Sequence, residues 1–308
     1  MRGVIHAWET LDIENDPYVK KLRQNPLEEK ALQKVLLKQK TYCTEQLRRF
    51  VDKSRHIYEE LGEWAANYFI YASIEQLTAR VDDACLALDC MNEEKTYLIE
   101  LMARVPVPDM NMDDFQVSAK FQALIEFLDS AKGKDFSGII FVKQRATVSV
   151  MAQLLSIHPR TKEHFHCAGY VGWSGGGGRK DILGDFLSFQ MQRNTLDEFQ
   201  RGIKNLIVGT DVLEEGIDVS ACSVVVCFDK PPNLKSFVQR RGRARRKEST
   251  YAIMLPVDDE SADLLKWQKL EKDMIEAYQD EQRNLQEALD LENMVEVVKE
   301  RFEVQSTG

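Results

Sequence analysis

Six basic side chains fall within eight residues: Arg240, Arg241, Arg243, Arg245, Arg246 and Lys247. A turn rich in acids and glycine precedes them, with Glu214, Glu215, Gly216 and Asp218. Arginine presents a planar fork that matches phosphate oxygens two at a time, and its charge does not titrate in the working range of proteins. The chemistry this pattern serves is the gripping of phosphate groups. A charge run is more often a solvated helix face. Gly242 inside the run and the acidic turn before it argue against that plainer reading here.

The elements that must hold these residues are legible on either side. Residues 205–208 (Asn-Leu-Ile-Val) read as an apolar strand ending at Gly209, and residues 223–228 read as a second buried strand. A helix carrying the arginines follows. A strand, a polar loop at its carboxyl end, another strand and a basic helix form a ligand-binding layout, because open parallel sheets bind ligands outside the carboxyl ends of their strands.

Two stretches carry a resemblance. Residues 209–218, GTDVLEEGID, resemble motif V of helicase superfamily 2, and residues 239–246, QRRGRARR, fit its motif VI, Q-x-x-G-R-x-x-R. Their order and their separation by one strand-plus-helix unit make the pair strong. Residues 138–142 resemble motif IV and residues 192–199 the Q…L…F element ahead of motif V; both are weak alone. The words LGEWAANYFI at 61–70 and FVKQR at 141–145 resemble the fungal Dicer-like family, whose helicases carry a helical insertion ahead of the second motor lobe.

The rest of the chain is consistent with that frame. Residues 27–61 show helical periodicity with one apolar stripe through Leu47, Phe50, Val51, Ile57, Tyr58 and Leu61, and Gly62 reads as a stop. Helices over 63–88 and 93–105 would complete a small helical domain, with His6 and His56 as surface or core histidines. From residue 117 helices and strands alternate: a helix to 131, a strand at 137–142, a helix at 146–157, a short strand at 166–171, a helix closing at 202, and a last strand at 249–255. Such alternation implies right-handed crossovers and a parallel sheet. The expected fold is therefore α/β: a RecA-like parallel sheet, the C-terminal lobe of a P-loop NTPase-like helicase, with an α-helical insertion domain and a C-terminal helical extension. The expected division is 1–112 for the insertion, 113–258 for the lobe and 259–308 for a pincer-like extension.

The resemblance implies roles for particular residues. Arg243 and Arg246 match the positions that contact nucleotide phosphates, one as the arginine finger, and Arg245 is placed to share or replace Arg246. Gln239 and Arg240 stand beside them, and Gly216 and Asp218 match nucleotide-side positions of motif V. Thr210, with Gly209, matches a position that meets the RNA backbone. The implied cofactor is ATP, shared with a first lobe that would also hold Mg2+. The implied partners are double-stranded RNA, that first lobe and a ribonuclease III region.

Composition bounds the alternatives. The chain has 308 residues, 44% hydrophobic and 30% charged, with a formal net charge of -9. Overall acidity argues against broad non-specific nucleic-acid binding but not against a confined basic site. Six cysteines, mostly in apolar or helical runs, read as reduced thiols, and no signal-peptide core or membrane-length apolar run is seen. An intracellular protein, cytoplasmic or nuclear, is expected. The run Gly175–Gly178 lacks the lysine-Ser/Thr pair of a phosphate loop, and His158, His164, His166 and Cys167 fit no zinc spacing, so no metal site is expected. The sequence holds neither G-x-x-x-x-G-K-[ST], nor a D-E-x-H or D-E-A-D tetrad, nor a ribonuclease III acidic signature. It is thus expected to complete an ATPase site without being able to turn over ATP alone. Two other readings stay open: a non-catalytic fragment that binds duplex RNA or a partner, and the second lobe of an RNA-sensing or DNA-junction helicase.

Overall fold

The computed structural model describes residues 2–82, 93–108, 110, 115–133, 135–172, 183, 189–214, 222–245, 248–255, 265–273 and 276. The amino-terminal helices are α1 (Arg2–Glu9), α2 (Pro17–Gln24), α3 (Glu29–Lys38), α4 (Tyr42–Leu61), α5 (Glu63–Asp82) and α6 (Glu93–Ala103). They are followed by α7 (Ala119–Ala131), β1 (Gly138–Phe141), α8 (Arg145–Ile157), β2 (Cys167–Tyr170), α9 (Phe189–Gln200), β3 (Leu206–Gly209), β4 (Val224–Cys227), α10 (Leu234–Arg241) and β5 (Thr250–Ile253). Residues 265–273 and 276 are helical, and the rest of the expected extension lies outside the described residues, as do Cys85, Cys90 and the glycine run at 175–178.

The five strands form one sheet in the order β2-β3-β1-β4-β5, every neighbouring pair parallel. This is the expected RecA-like α/β lobe. β1, β3 and β4 are buried on both faces, which is why each reads as an unbroken apolar run. Alternate residues serve opposite faces. Ile140, Val142, Leu206, Val208, Val224, Val226 and Phe228 join one core with the helices, while Ile139, Phe141, Ile207, Val225 and Cys227 join a second with Phe199 and Leu213.

The first core is continuous from Val4 to Phe228, so the amino-terminal helices and the sheet share it. α4 and α5 pack on each other, with Phe50 and Phe69 stacked at 5.1 Å, and both also pack against α8. The single stripe expected over 27–61 is broken. α3 ends at Gln39 in the left-handed region (φ 51), and α4 starts afresh from a capping box in which Thr41 and Thr44 each bond the other's backbone. α3 contains no buried residue at all.

Contacts divide the chain into two units, Met1–Pro231 with Gln239–Pro256, and Pro232–Val238 with Val257–Gly308. In the second, Phe237 lies 5.9 Å from the Trp267 ring. Among the described residues no helix is long and apolar enough to cross a membrane.

Candidate functional site

The carboxyl ends of β1, β3 and β4 bring three loops to one edge of the sheet. Because β1 lies between β3 and β4, this is where the strand order reverses and where such sheets bind ligands. After β3, Thr210 is nearly buried and opens a short helical turn, Asp211–Leu213, that delivers Glu214. After β4 the chain leaves through Asp229, and α10 returns with the arginines on its last turn.

Arg240 is the centre of the arrangement. Its Nε donates to Glu214 Oε1 at 2.7 Å, and the two side chains are only 5% and 8% exposed. Its Nη1 donates to the Asp229 carbonyl at 3.3 Å, and the guanidinium lies 4.9 Å from the Phe141 ring centroid. A buried charge needs a partner and hydrogen bonds to be tolerated, and Arg240 has both. Arg243 is also buried, its Nη2 donating to the Glu214 carbonyl at 2.8 Å, while its own carbonyl accepts from Cys222 N at 3.2 Å. Glu214 therefore holds both arginines, one by its carboxylate and one by its backbone. Beneath them burial pushes the Cys227 thiol up, so it stands as a neutral group beside Tyr251 (Sγ to Oη 3.3 Å).

The structure thus brings together Gly209, Thr210, Arg240 and Arg243, with Gln239 half-buried on α10. Arg245 is exposed, and its Nε donates to the Gly242 carbonyl at 2.7 Å. Gly216, Asp218 and Arg246 lie outside the described residues. Glu214 is the residue to which motif reading gave no role; the sequence showed it only as one acid of the turn after Thr210, and its arginine partners lie 26 and 29 residues further on.

His158 packs into the fold as a structural residue. Burial, and then Arg160, hold His158 below the ordinary imidazole range. Its ring lies 5.3 Å from Phe115 and its Nδ1 accepts from Arg160 N at 3.3 Å. Cys167 is buried, which pushes its thiol up to about 12. Among the described residues no group of three His, Cys, Asp or Glu side chains is placed to hold a metal ion.

A second feature was not visible as a motif. Residues 17–40 hold seven lysines and arginines against two carboxylates, within a chain of net charge -9. Lys30, Lys34 and Lys38 recur every fourth residue along α3, which sets them on one helix face, and all three are exposed. None of them, nor Lys20 and Lys21 on α2, pairs with a carboxylate among the described residues. The four-residue lysine repeat was the available signal.

Comparison with known proteins gives the class first. Residues 119–248 match the helicase conserved C-terminal domain. Over its whole length the chain is 62% identical to a Dicer-like protein 2 of Aspergillus terreus (312 residues, 100% of this chain, 23% of that protein). It is also 62% identical to a Dicer-like protein 2 of Neosartorya fischeri (311 residues, 99% and 22%). Among solved structures, the C-terminal domain of the DEAD-box protein Dbp5 is 26% identical with a TM-score of 0.38, covering 50% of this chain and 79% of that one. The chain is a Dicer-like helicase C-terminal region. It spans less than a quarter of the length of these curated relatives.

Proposed function

We propose that this chain is the second half of an ATP-dependent motor that moves on double-stranded RNA within a Dicer-like RNA-silencing enzyme. In this reading residues 1–112 are the insertion, 113–258 the second RecA-like lobe and 259–308 the pincer-like extension. A first lobe and a ribonuclease III region would come from the rest of the enzyme. The observation that carries the reading is the pair of arginines gathered on Glu214 at the carboxyl edge of a parallel sheet.

The described residues suit a nucleotide's phosphates. Arg245 is an exposed guanidinium with no carboxylate partner among the described residues, one helical turn's length of chain from Arg241. Arg243 is the proposed finger. A phosphoryl oxygen would offer its guanidinium a charged acceptor beside the neutral Glu214 carbonyl that it meets now, and charge-assisted hydrogen bonds are the stronger ones. Bound ATP would supply the separating terminal phosphoryl group, whose charge these guanidiniums neutralise. Gln239, Gly216, Asp218 and Arg246 keep their proposed nucleotide-side roles, and Gly209 and Thr210 their proposed contact with RNA backbone.

The test is complementation. The chain alone should not hydrolyse ATP, and adding a purified first lobe with duplex RNA should restore turnover. Arg243→Ala should then lower that turnover by about a thousandfold or more, the range of arginine fingers. Turnover by the chain alone, or a complemented motor indifferent to Arg243→Ala, would overturn the reading.

The exposed lysines on one face of α3, with no carboxylate partner among the described residues, favour a further RNA contact outside the motor edge. Duplex RNA is held largely by shape and by backbone contacts, which basic side chains supply without reading sequence. Retention of duplex RNA by the chain should be salt-sensitive. Changing Lys30, Lys34 and Lys38 together to Gln should flatten the slope of log affinity against log salt by roughly one for each phosphate that a lysine had neutralised. An unchanged slope would remove α3 from the RNA surface.

A further inference from the structure

A line of ion pairs and hydrogen bonds leads from the amino-terminal helices to the arginines, and Lys120 lies within it. Lys120 lies in the first turn of α7. Its Nζ is 2.5 Å from Glu60 Oε2 at the end of α4 and 3.6 Å from Asp229 Oδ1 beyond β4. The same ammonium sits 4.3 Å from the Phe228 ring centroid, a cation–π contact that holds it over the turn into Asp229.

Asp229 is in turn used three ways. Oδ1 faces Lys120, Oδ2 accepts from Lys143 N at 2.6 Å, and the carbonyl accepts from Arg240 Nη1 at 3.3 Å. A single residue thus ties α7, the loop after β1 and α10 to one another. Arg240 passes the connection to Glu214, and the Glu214 backbone passes it to Arg243. At the other end Glu60 is fixed by more than its carboxylate. Its carbonyl accepts from Ser118 Oγ at 2.5 Å, and the next carbonyl, of Leu61, accepts from Ser118 N at 3.0 Å.

We infer that Lys120 is a positioning residue through which the end of α4 sets the placement of the arginine helix at the motor edge. The inference rests on the proposed motor reading for its purpose, though its geometry does not. The charges support the direction of the argument. Glu60, Lys120 and Asp229 are about one-quarter exposed or less, so their attraction is screened less than that of surface pairs. Lys120 is shared between two carboxylates, so a shift of α4 changes its distance to Glu60 and redistributes its hold on Asp229. Asp229 cannot move without disturbing the Arg240 hydrogen bond. Coupling by packed charge networks of this kind is a physical claim only if the far end responds to a change at the near end.

Backbone amide hydrogen exchange on the full chain measures that response. Lys120→Met should raise exchange at residues 240–245 by about tenfold or more, while amides of β3 and α8 stay as in the wild type. Lys120→Arg, which keeps the charge, should recover most of the protection. Asp229→Asn is nearly isosteric and keeps an oxygen for Lys143 N. It should loosen residues 240–245 as Lys120→Met does, so the question stays answerable if Lys120→Met fails to fold. Combining the two should add little, since both break one link. Unchanged exchange at 240–245, a uniform rise across the sheet, or a Lys120→Arg variant no better than Met would overturn the inference. No nucleotide is needed for this readout. A responsive network in a chain that no first lobe can complement would keep the relay and discard the motor; the reverse outcome would do the opposite.

Discussion

Glu214→Leu should destabilise the chain by about 3–5 kcal/mol, because it strands the Arg240 charge in a site that water barely reaches. Arg240 and Glu214 are 5% and 8% exposed, and the other face of the guanidinium is the Phe141 ring. By contrast, the pairs Arg48–Glu45 and Arg201–Asp197 have the guanidinium 45% and 66% exposed and should each be worth less than about 1 kcal/mol. The informative partner is the double variant. Glu214→Leu with Arg240→Met removes both charges and leaves two flexible apolar chains against Phe141. A buried pair replaced as a pair often costs little. Urea denaturation should therefore show the midpoint falling sharply in Glu214→Leu and returning most of the way in the double variant. A single variant within about 1 kcal/mol of wild type would mean that the pair is not the buried lock its geometry describes. If the motor reading holds, the double variant should be stable yet unable to support complemented ATP turnover. That separates what the pair does for folding from what Arg240 does at the motor edge.

The same pair shows where sequence reading stops. The sheet was legible because strands buried on both faces leave no choice of residue: Gly138–Phe141, Leu206–Gly209 and Val224–Cys227 are apolar throughout or nearly so. The order of the motifs was legible because it depends only on chain direction. Two kinds of fact were not. The break between α3 and α4 carries no Gly or Pro; Gln39 adopts the left-handed cap itself, and Thr44 stands where a capping box usually has Glu or Gln. Which arginines of QRRGRARR face inward was also hidden. Charge count treats Arg240, Arg243 and Arg245 alike, whereas the fold buries the first two on Glu214 and leaves the third exposed. Partners far along the chain decided that, and neither periodicity nor spacing reports them.

Gly62→Ala should cost on the order of 4 kcal/mol, the sum of a backbone penalty and a steric one. Gly62 is the one residue between α4 and α5, and it turns the chain at φ 105, ψ -176, a region open essentially to glycine alone. Forcing a Cβ into that conformation costs about 1–3 kcal/mol. The surroundings add a second penalty. The Cβ would stand 2.6 Å from Gln116 O, Ser118 N and the Val117 Cα, and all three are backbone atoms with no rotamer to yield. Overpacking of this kind costs about 1–3 kcal/mol more. The segment it would displace is the one that ties α4 and α5 to α7, through Ser118 N to Leu61 O at 3.0 Å and Trp64 N to Gln116 O at 3.2 Å. Gly202 supplies the control. It too has a positive φ, 72, but nothing lies within 4 Å of where a Cβ would stand, so Gly202→Ala should show the backbone penalty alone, about 1–2 kcal/mol. Urea midpoints of the two variants should differ accordingly, and amide exchange at Trp64 and Ser118 should rise only in Gly62→Ala. Equal losses in the two variants would mean that the 116–118 segment moves aside freely. Glu60 and Lys120 flank that segment, so the relay from α4 to the arginines would then begin from a support too soft to carry it.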